Sequence, residues 1–292
     1  MADDLFHVTT ELADRFGPLT APTVKPYSAS LRTADQKQII KVYRGIEPLA
    51  RQQREIEALH VAPTLGIAVP RILDHGDAGA QAWTAFEVVP GCPGKATDDR
   101  HWSRVRPVMA ALHRFASADG AGPGWTVRSA GGLSNSAHLI RQVSARVQAA
   151  LWWPRLAEQL RELDDQPTVY LHGDLKPDHL ISANSGTWIV DWEACARGPA
   201  ACDHADAIFH QLRDLIYSGR PVDTLTAPTV GPPGLPIVLA WRLVLWADRR
   251  RPEDLGHLPA DGLTELTQEP PAAAIRIAAR IIFEMRHRGT PR

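Results

Sequence analysis

The chain has 292 residues, 44% of them hydrophobic and 22% charged, so it can bury a large core and is neither a disordered segment nor a small stapled module. Its 32 Lys and Arg against 33 Asp and Glu give a formal net charge of −1, which excludes recognition of nucleic acid or an anionic membrane through a global field. Cys92, Cys195 and Cys202 are odd in number and irregularly spaced, which argues against a disulfide framework and for a reducing compartment.

The start, "MADDLFHVTT", lacks the basic region and apolar run of a secretion signal. The longest apolar run, Pro236 to Ala247, is interrupted by Arg242 and falls short of the roughly 20 residues of a membrane span. A cytoplasmic location is the expectation. Residues 26–43 read as two extended segments around a "TADQ" turn, the second ending in Ile39, Ile40, Lys41, Val42 and Tyr43. A helix follows, with Pro48 in its first turn, Leu49, Ile56 and Leu59 at helical spacing, Glu55 within it and Gly66 at its end. "VPRILDHGDAGAQAWTAFEVV" then supplies two more short strands. The order strand, strand, helix, strand, strand closes a small α+β lobe at about Val89, and "PGCPGKATDD" reads as a linker.

Beyond it the pattern is mostly helical. "DRHWSRVRPVMAALHRFA" is a helix, "DGAGPGW" a loop, and Ser136 to about Leu163 a long amphipathic stretch broken by Pro154. Strands "TVYL", "HLIS" and "GTWIVDW" surround the segment "LHGDLKPDHLI", and Ser218 to Pro236 reads as an irregular loop before the final helices.

Phosphoryl transfer needs a carboxylate to orient the attacking hydroxyl, cations to spread the phosphate charge and ligands for a metal. The kinase-type loop H-R-D-L-x-x-x-N is matched by His172, Asp174 and Leu175, with His179 standing where the metal-binding Asn belongs. Asp191 follows an apolar strand in "WIVDWE", as the second metal ligand of such a loop does. On these ordered motifs the chain resembles the aminoglycoside phosphotransferase and choline kinase family over nearly its whole length. The resemblance implies a protein-kinase-like bilobal α+β fold: a β-rich nucleotide-binding lobe with one helix over residues 1–89, and a mostly helical lobe over 90–292 carrying the catalytic loop, metal site and acceptor-binding helices.

By that resemblance, Asp174 orients the substrate hydroxyl and Lys176 places a cation near the transferred phosphate. Lys41 in "IIKVYR", paired with Glu55, binds the nucleotide phosphates, and Glu87 and Val89 in "FEVVPG" form the hinge that receives the base. His179 and Asp191 hold the metal. The role of Glu193 stays open, and Glu57 is an alternative to Glu55. ATP or GTP is the implied donor, with Mg²⁺ or, because an imidazole replaces an amide oxygen, Mn²⁺. Only a neutral imidazole ligates, so activity is expected to fall below about pH 6.5. Macrolide-type kinases of the family resemble this chain in placing His at that position. The phosphate-covering segment "FGPLTAPTVKPYSAS" departs from the family in its prolines, and backbone amides near Thr23 to Lys25 are the candidates to meet phosphate.

His172 reads as a brace for the loop, and Asp203 as a helix cap and a second brace. A zinc site from Cys195, Cys202, His204 and His210 is disfavoured because no Cys-x-x-Cys pair is present. The nine tryptophans read mainly as core and cleft walls. From Pro236 onward nine arginines face seven acids, so a polycationic aminoglycoside is not favoured. The expected acceptor is a hydroxyl-bearing antibiotic, a metabolite or a peptide Ser/Thr. The alternative is a pseudokinase that binds a nucleotide or a partner without catalysis.

Overall fold

A computed structural model describes residues 2–78, 81–98, 100–114, 135–184, 186–222, 231–250, 255 and 258–288. The chain opens on helix α1 (Ala2–Phe16), which the sequence reading did not assign. Val8 and Leu12 stand one turn apart and bury, with Phe16 packed beside them, against Leu31, Ile40, Val42 and Trp83. They cover one face of an antiparallel sheet formed by β1 (Thr23–Val24), β2 (Ser28–Arg32), β3 (Gln38–Tyr43), β4 (Ile72–Ala78) and β5 (Gln81–Glu87), in the order β1-β2-β3-β5-β4. Strand alternation sends Ile40 and Val42 to that face, and leaves Lys41 and Tyr43 toward helix α2 (Pro48–Val61), where both reach Glu55.

After α2 a 3-10 turn, Ala62–Leu65, ends on Gly66 in the left-handed region at φ 77°, the stop expected from the sequence. The other side of α2, through Ala58 and Leu59, joins the large core that contains Trp102, Ile189 and Trp192. Ala68 forms a bridge to Trp188, so the sheet-bearing part and the helical part share both core and backbone hydrogen bonds.

The expected linker contains β6 (Cys92–Pro93), a two-residue strand paired with β8 (Leu180–Ala183), which in turn pairs with β9 (Gly186–Ile189). Helix α3 (His101–His113) lies where the sequence places it. The loop "DGAGPGW" falls outside the described residues. The amphipathic stretch after it is three helices, α4 (Ser136–Arg141), α5 (Ala145–Gln148) and α6 (Trp153–Glu162). Asn135 and Ser144 cap the first two with their side chains, and Pro154 sits in the first turn of α6, where a missing N–H costs nothing.

Strand β7 (Thr168–Leu171) pairs with β10 (Ala196–Pro199), a strand absent from the sequence reading because "ARGP" lacks β-branched or aromatic residues. Pairing and full burial make it a strand. Helices α7 (Ala201–Tyr217), α8 (Leu235–Arg250), α9 (Ala260–Gln268) and α10 (Pro271–Arg288) complete the helical part. The loop expected over 218–236 is described only at its two ends, and α8 begins within it. The α+β architecture with a small sheet and a larger helical part is as expected. No helix among the described residues is long and apolar enough to cross a membrane.

His101 begins α3 and is almost fully buried, with Nε2 lacking a hydrogen-bond partner among the described residues. Burial pulls its imidazole down to about 4. The unfolded chain therefore takes up a proton near pH 6.5 that the folded chain refuses until about pH 4, and stability is lost as pH falls through that window. The loss amounts to about 3 kcal/mol. Replacing His101 by Phe is expected to remove this part of the acid sensitivity, measured as the difference between the two proteins in urea unfolding at pH 7 and pH 4.5.

Candidate active site

The loop after β7 is held from below. Gly173 adopts φ 81°, and a Cβ there would stand 2.0 Å from the Ala194 carbonyl oxygen, so only glycine fits. The fully buried Asp203 accepts from the backbone N–H of His172 (3.1 Å) and Gly173 (2.9 Å), and His113 Nε2 lies 3.2 Å from the same carboxylate. Asp203 is thus the brace expected. It is not the cap of α7, whose N-cap is Ala200 and makes no side-chain hydrogen bond.

His172 packs on Trp192 with ring centroids 4.6 Å apart. Its Nε2–H donates to the Val190 carbonyl (3.1 Å) and its Nδ1 accepts from the Asp174 N–H (3.3 Å). Both nitrogens are used in one neutral tautomer, and burial pushes the ring further from protonation.

Asp174 Oδ2 accepts from Lys176 Nζ (3.0 Å), and Oδ1 lies 3.4 Å from His210 Nε2. Burial works to raise its carboxyl, but His210, His179 and Lys176 outweigh burial and hold it well below the usual carboxylate range. His179 Nδ1–H donates to the Asp174 carbonyl oxygen (2.9 Å), which turns Nε2 toward Asp191 Oδ2 at 3.0 Å. That Nε2 is buried and makes no aligned hydrogen bond among the described residues. One ligand atom each from Asp174, His179 and Asp191 lies within 4.8 Å of the others. An orphaned, fixed imidazole nitrogen beside two ionised carboxylates fits a divalent cation.

Asp191 follows β9 at φ 67°, in the left-handed region that a short acidic side chain tolerates best among non-glycine residues. The turn aims its carboxylate at Lys41 Nζ, 2.5 Å away. Lys41 also meets Glu55 (2.7 Å) and Glu193 (3.1 Å). Burial alone would discharge this lysine, yet the carboxylates of Asp191, Glu55 and Glu193 raise it well above its ordinary value. Glu55, not Glu57, is the partner: Oε2 accepts from Lys41 and the Tyr43 hydroxyl (2.8 Å), and Oε1 accepts from the Trp192 N–H (3.0 Å). Glu193 is anchored by Arg51 (2.7 Å), which gives this open residue a place beside Lys41.

Lys41, Glu55, Glu87, Val89 and Asp191 line one cavity of about 230 Å³, with Ile39, Leu59, Phe86 and Val190 among its apolar walls. Asp174, Lys176 and Asp191 line a second, of about 930 Å³, with Asp191 common to both. His179 lies beneath their junction through its contacts to Asp174 and Asp191. Lys25 lines both cavities and Ser28 with it, at the turn between β1 and β2. The sequence reading missed the buried set behind Asp174. Arg242 Nη2 donates to His210 Nε2 (2.9 Å) and its Nε donates to Asp206 Oδ1 (2.5 Å). The i, i+4 pair Asp206 and His210 on α7 was the only local signal, and Arg242 arrives from α8. Cys195 donates its thiol to the Arg54 carbonyl (3.2 Å) and burial pushes that thiol well up, which leaves it a packed, uncharged group.

Removing the Asp203 carboxylate strands the buried His172 N–H, at a cost of about 1–3 kcal/mol, and frees the part-buried Gly173 N–H. Asp203→Ala is expected to lower the melting temperature by several degrees and to cut turnover in the protein that remains folded. Asp203→Asn, which keeps one acceptor, is expected to fall between the two in both measurements.

A family model described as the phosphotransferase enzyme family matches residues 28–226. Among solved structures, the chain is similar to the macrolide 2′-phosphotransferase of Brachybacterium faecium at 19% identity, covering 92% of this chain and 97% of that one with a TM-score of 0.52. It is similar to a choline kinase from Streptococcus pneumoniae at 14% identity, covering 94% and 99%, TM-score 0.57. A third is an aminoglycoside phosphotransferase in ternary complex with ADP and hygromycin B, at 14% identity, covering 98% and 99%, TM-score 0.55. These likenesses speak for the fold. No curated protein matches the chain. With the family model spanning most of the chain, and a kinase-like fold shared along almost its entire length, this protein belongs to the phosphotransferase enzyme family.

Proposed function

We propose that the protein transfers the γ-phosphoryl group of a nucleoside triphosphate, ATP or GTP, to an alcohol hydroxyl of a small molecule or a peptide. The observation that carries this reading is the convergence of Asp174, His179 and Asp191 at the junction of two cavities. In this reading residues 1–89 form the nucleotide lobe and 90–292 the acceptor lobe. The smaller cavity takes the nucleotide, its base toward Glu87 and Val89 and its phosphates toward Lys41, whose charge is secured by Glu55. The larger cavity takes the acceptor.

A divalent ion, Mg²⁺ or Mn²⁺, on His179, Asp191 and the neighbouring carboxylate supplies charge neutralisation for the phosphates. The chain's own residues do the rest. Asp174 accepts a hydrogen bond from the incoming hydroxyl and aims its oxygen at phosphorus; the low basicity of this carboxylate suits orientation more than early deprotonation. As the new O–P bond forms and the β,γ-bridging O–P bond breaks, the hydroxyl proton passes to Asp174, and Lys176 faces the transferred group. Lys25, at the β1–β2 turn, faces both cavities and adds a further cation beside the phosphates.

Asp174→Ala is expected to reduce Asp174-dependent transfer, and nucleotide hydrolysis with it, by on the order of a hundredfold or more while the melting temperature stays within a few degrees. Unchanged turnover would favour a protein that binds nucleotide without this chemistry. His179 supplies a second test. Burial works against its charged form, but Asp191 and Asp174 prevail and lift the imidazole above its ordinary 6.5. A metal must then displace a proton at any pH below that raised value, so affinity is expected to fall about tenfold per pH unit there. The limb thus begins at higher pH than the imidazole's ordinary value implies. His179→Asn is expected to abolish the limb and to shift preference from Mn²⁺ toward Mg²⁺, read as metal-dependent turnover across pH 5.5–8.5.

A further inference from the structure

We infer that the acceptor is a hydroxyl compound carrying an oxyanion, a carboxylate or a phosphate, held by a row of guanidinium groups on α8 that leads away from Asp174. The inference rests on the phosphotransferase reading and names its substrate class. Seven cationic side chains line the larger cavity against five acidic ones. Three of those acids, Asp174, Asp191 and Glu193, belong to the transfer and metal region. The other two are Asp178 and Asp214, and Asp214 is already bound by Arg213 at 2.6 Å. The wall away from the nucleotide therefore offers little to a polyammonium ligand.

What it offers an anion is ordered. Arg242 is fixed at the inner end by Asp206 and His210, with its guanidinium 4.9 Å from the Phe209 ring, and His210 in turn lies 3.4 Å from Asp174. Arg249 stands seven residues further along the same helix face, about 10 Å away at the helical rise, and Arg250 is next to it. Lys95 faces the same space. Arg249, Arg250 and Lys95 have no ion-pair partner among the described residues. The acid next to Arg249 in the chain, Asp248, is engaged by the N–H (2.7 Å) and hydroxyl (2.6 Å) of Ser144. Trp246, one turn from both Arg242 and Arg250, lines the cavity between the charges. Guanidinium forks bind carboxylate and phosphate oxygens in pairs, and Arg249 and Arg250 stand about 10 Å along the helix from Arg242, whose partner His210 lies 3.4 Å from the hydroxyl-orienting carboxylate. Because Asp174 and these arginines line the same cavity, the ligand this suits carries its anion at the end remote from the reacting hydroxyl.

The test uses matched pairs that differ in the anion: gluconate and sorbitol, glycerate and glycerol, glucose 6-phosphate and glucose, with kanamycin and choline as cations. Phosphate transfer is read as a mass shift and kcat/KM, and binding to the nucleotide-loaded protein by ligand-observed NMR. At least one anionic member is expected to exceed its neutral partner tenfold or more in kcat/KM or, where neither is turned over, in affinity. Arg249→Glu with Arg250→Glu, both at exposed positions, is expected to reduce that ratio at least tenfold, mainly through KM. Equal handling of the pairs, preference for the neutral or cationic compounds, binding of none, or a ratio unmoved by the charge reversal overturns the proposal. Transfer to a neutral or cationic compound would do so while leaving the phosphotransferase reading intact; loss of Asp174-dependent turnover bears on that reading alone.

Discussion

The carboxylate of Glu55 holds the two halves of this site in register. Its two oxygens reach three donors: Lys41 and Tyr43 on strand β3, and the Trp192 backbone on the far side of the cleft. A buried carboxylate is costly to desolvate, and burial does raise its pKa, so the arrangement persists only while those donors stay in place. The consequence is cooperative. A displaced α2 would free Lys41 to neutralise Asp191 alone, and would release the Trp192 N–H that fixes the turn through which Asp191 approaches the cavity. The positions of Lys41 and of the turn that carries Asp191 are thus set by the same side chain.

Asp203 performs the matching task on the other side. It ties the His172–Gly173 backbone to the first turn of α7, while His172 ties the same loop to Val190 and Trp192. Asp203 gives both of its oxygens, and Glu55 one of its two, to backbone N–H groups of loops, which satisfies donors that no regular element can pair. The charged side chains of Asp174, His179 and Asp191 are consequently carried on backbone that cannot drift, and their mutual distances follow from packing behind them. This is why a strongly hydrophobic core, continuous from α2 through Trp192 to α7 and α8, matters for a site made of polar atoms.

Sequence and structure agree where the relevant residues are neighbours along the chain. "HGDLKPDH" and "VDWE" are short enough that each motif builds its own local geometry, and the alternation around Lys41 states which face of β3 it occupies. Leu59, Glu55 and the Gly66 stop made α2 legible for the same reason. What escaped notice depends on pairing or packing between distant segments. β10 is a strand only because β7 lies beside it, and Ser144 starts a new helix where periodicity runs straight through. The Asp206, His210 and Arg242 set needs α7 and α8 to pack, which no spacing rule reports. α1 is different: Val8, Leu12 and Phe16 recur every four residues, so its amphipathic face was open to view, and what the periodicity alone does not say is that a sheet face stands waiting to be covered.

The division of labour on α8 bears on how acceptor choice arises in such a scaffold. One side of this helix is buried through Leu239, Leu243 and Val244 and cannot change without loss of core packing. The opposite side carries Arg242, Trp246, Arg249 and Arg250 into the larger cavity, far from the hydrogen bonds that fix the transfer residues. Only Arg242 joins the two, because its partner His210 touches Asp174. Charges beyond it can be altered with small effect on fold or on the donor site, since exposed side chains contribute little to stability. A scaffold arranged in this way can keep one phosphoryl-transfer apparatus while the terminal turns of a single helix set the charge of the molecule it receives, and in this chain that charge complement is positive.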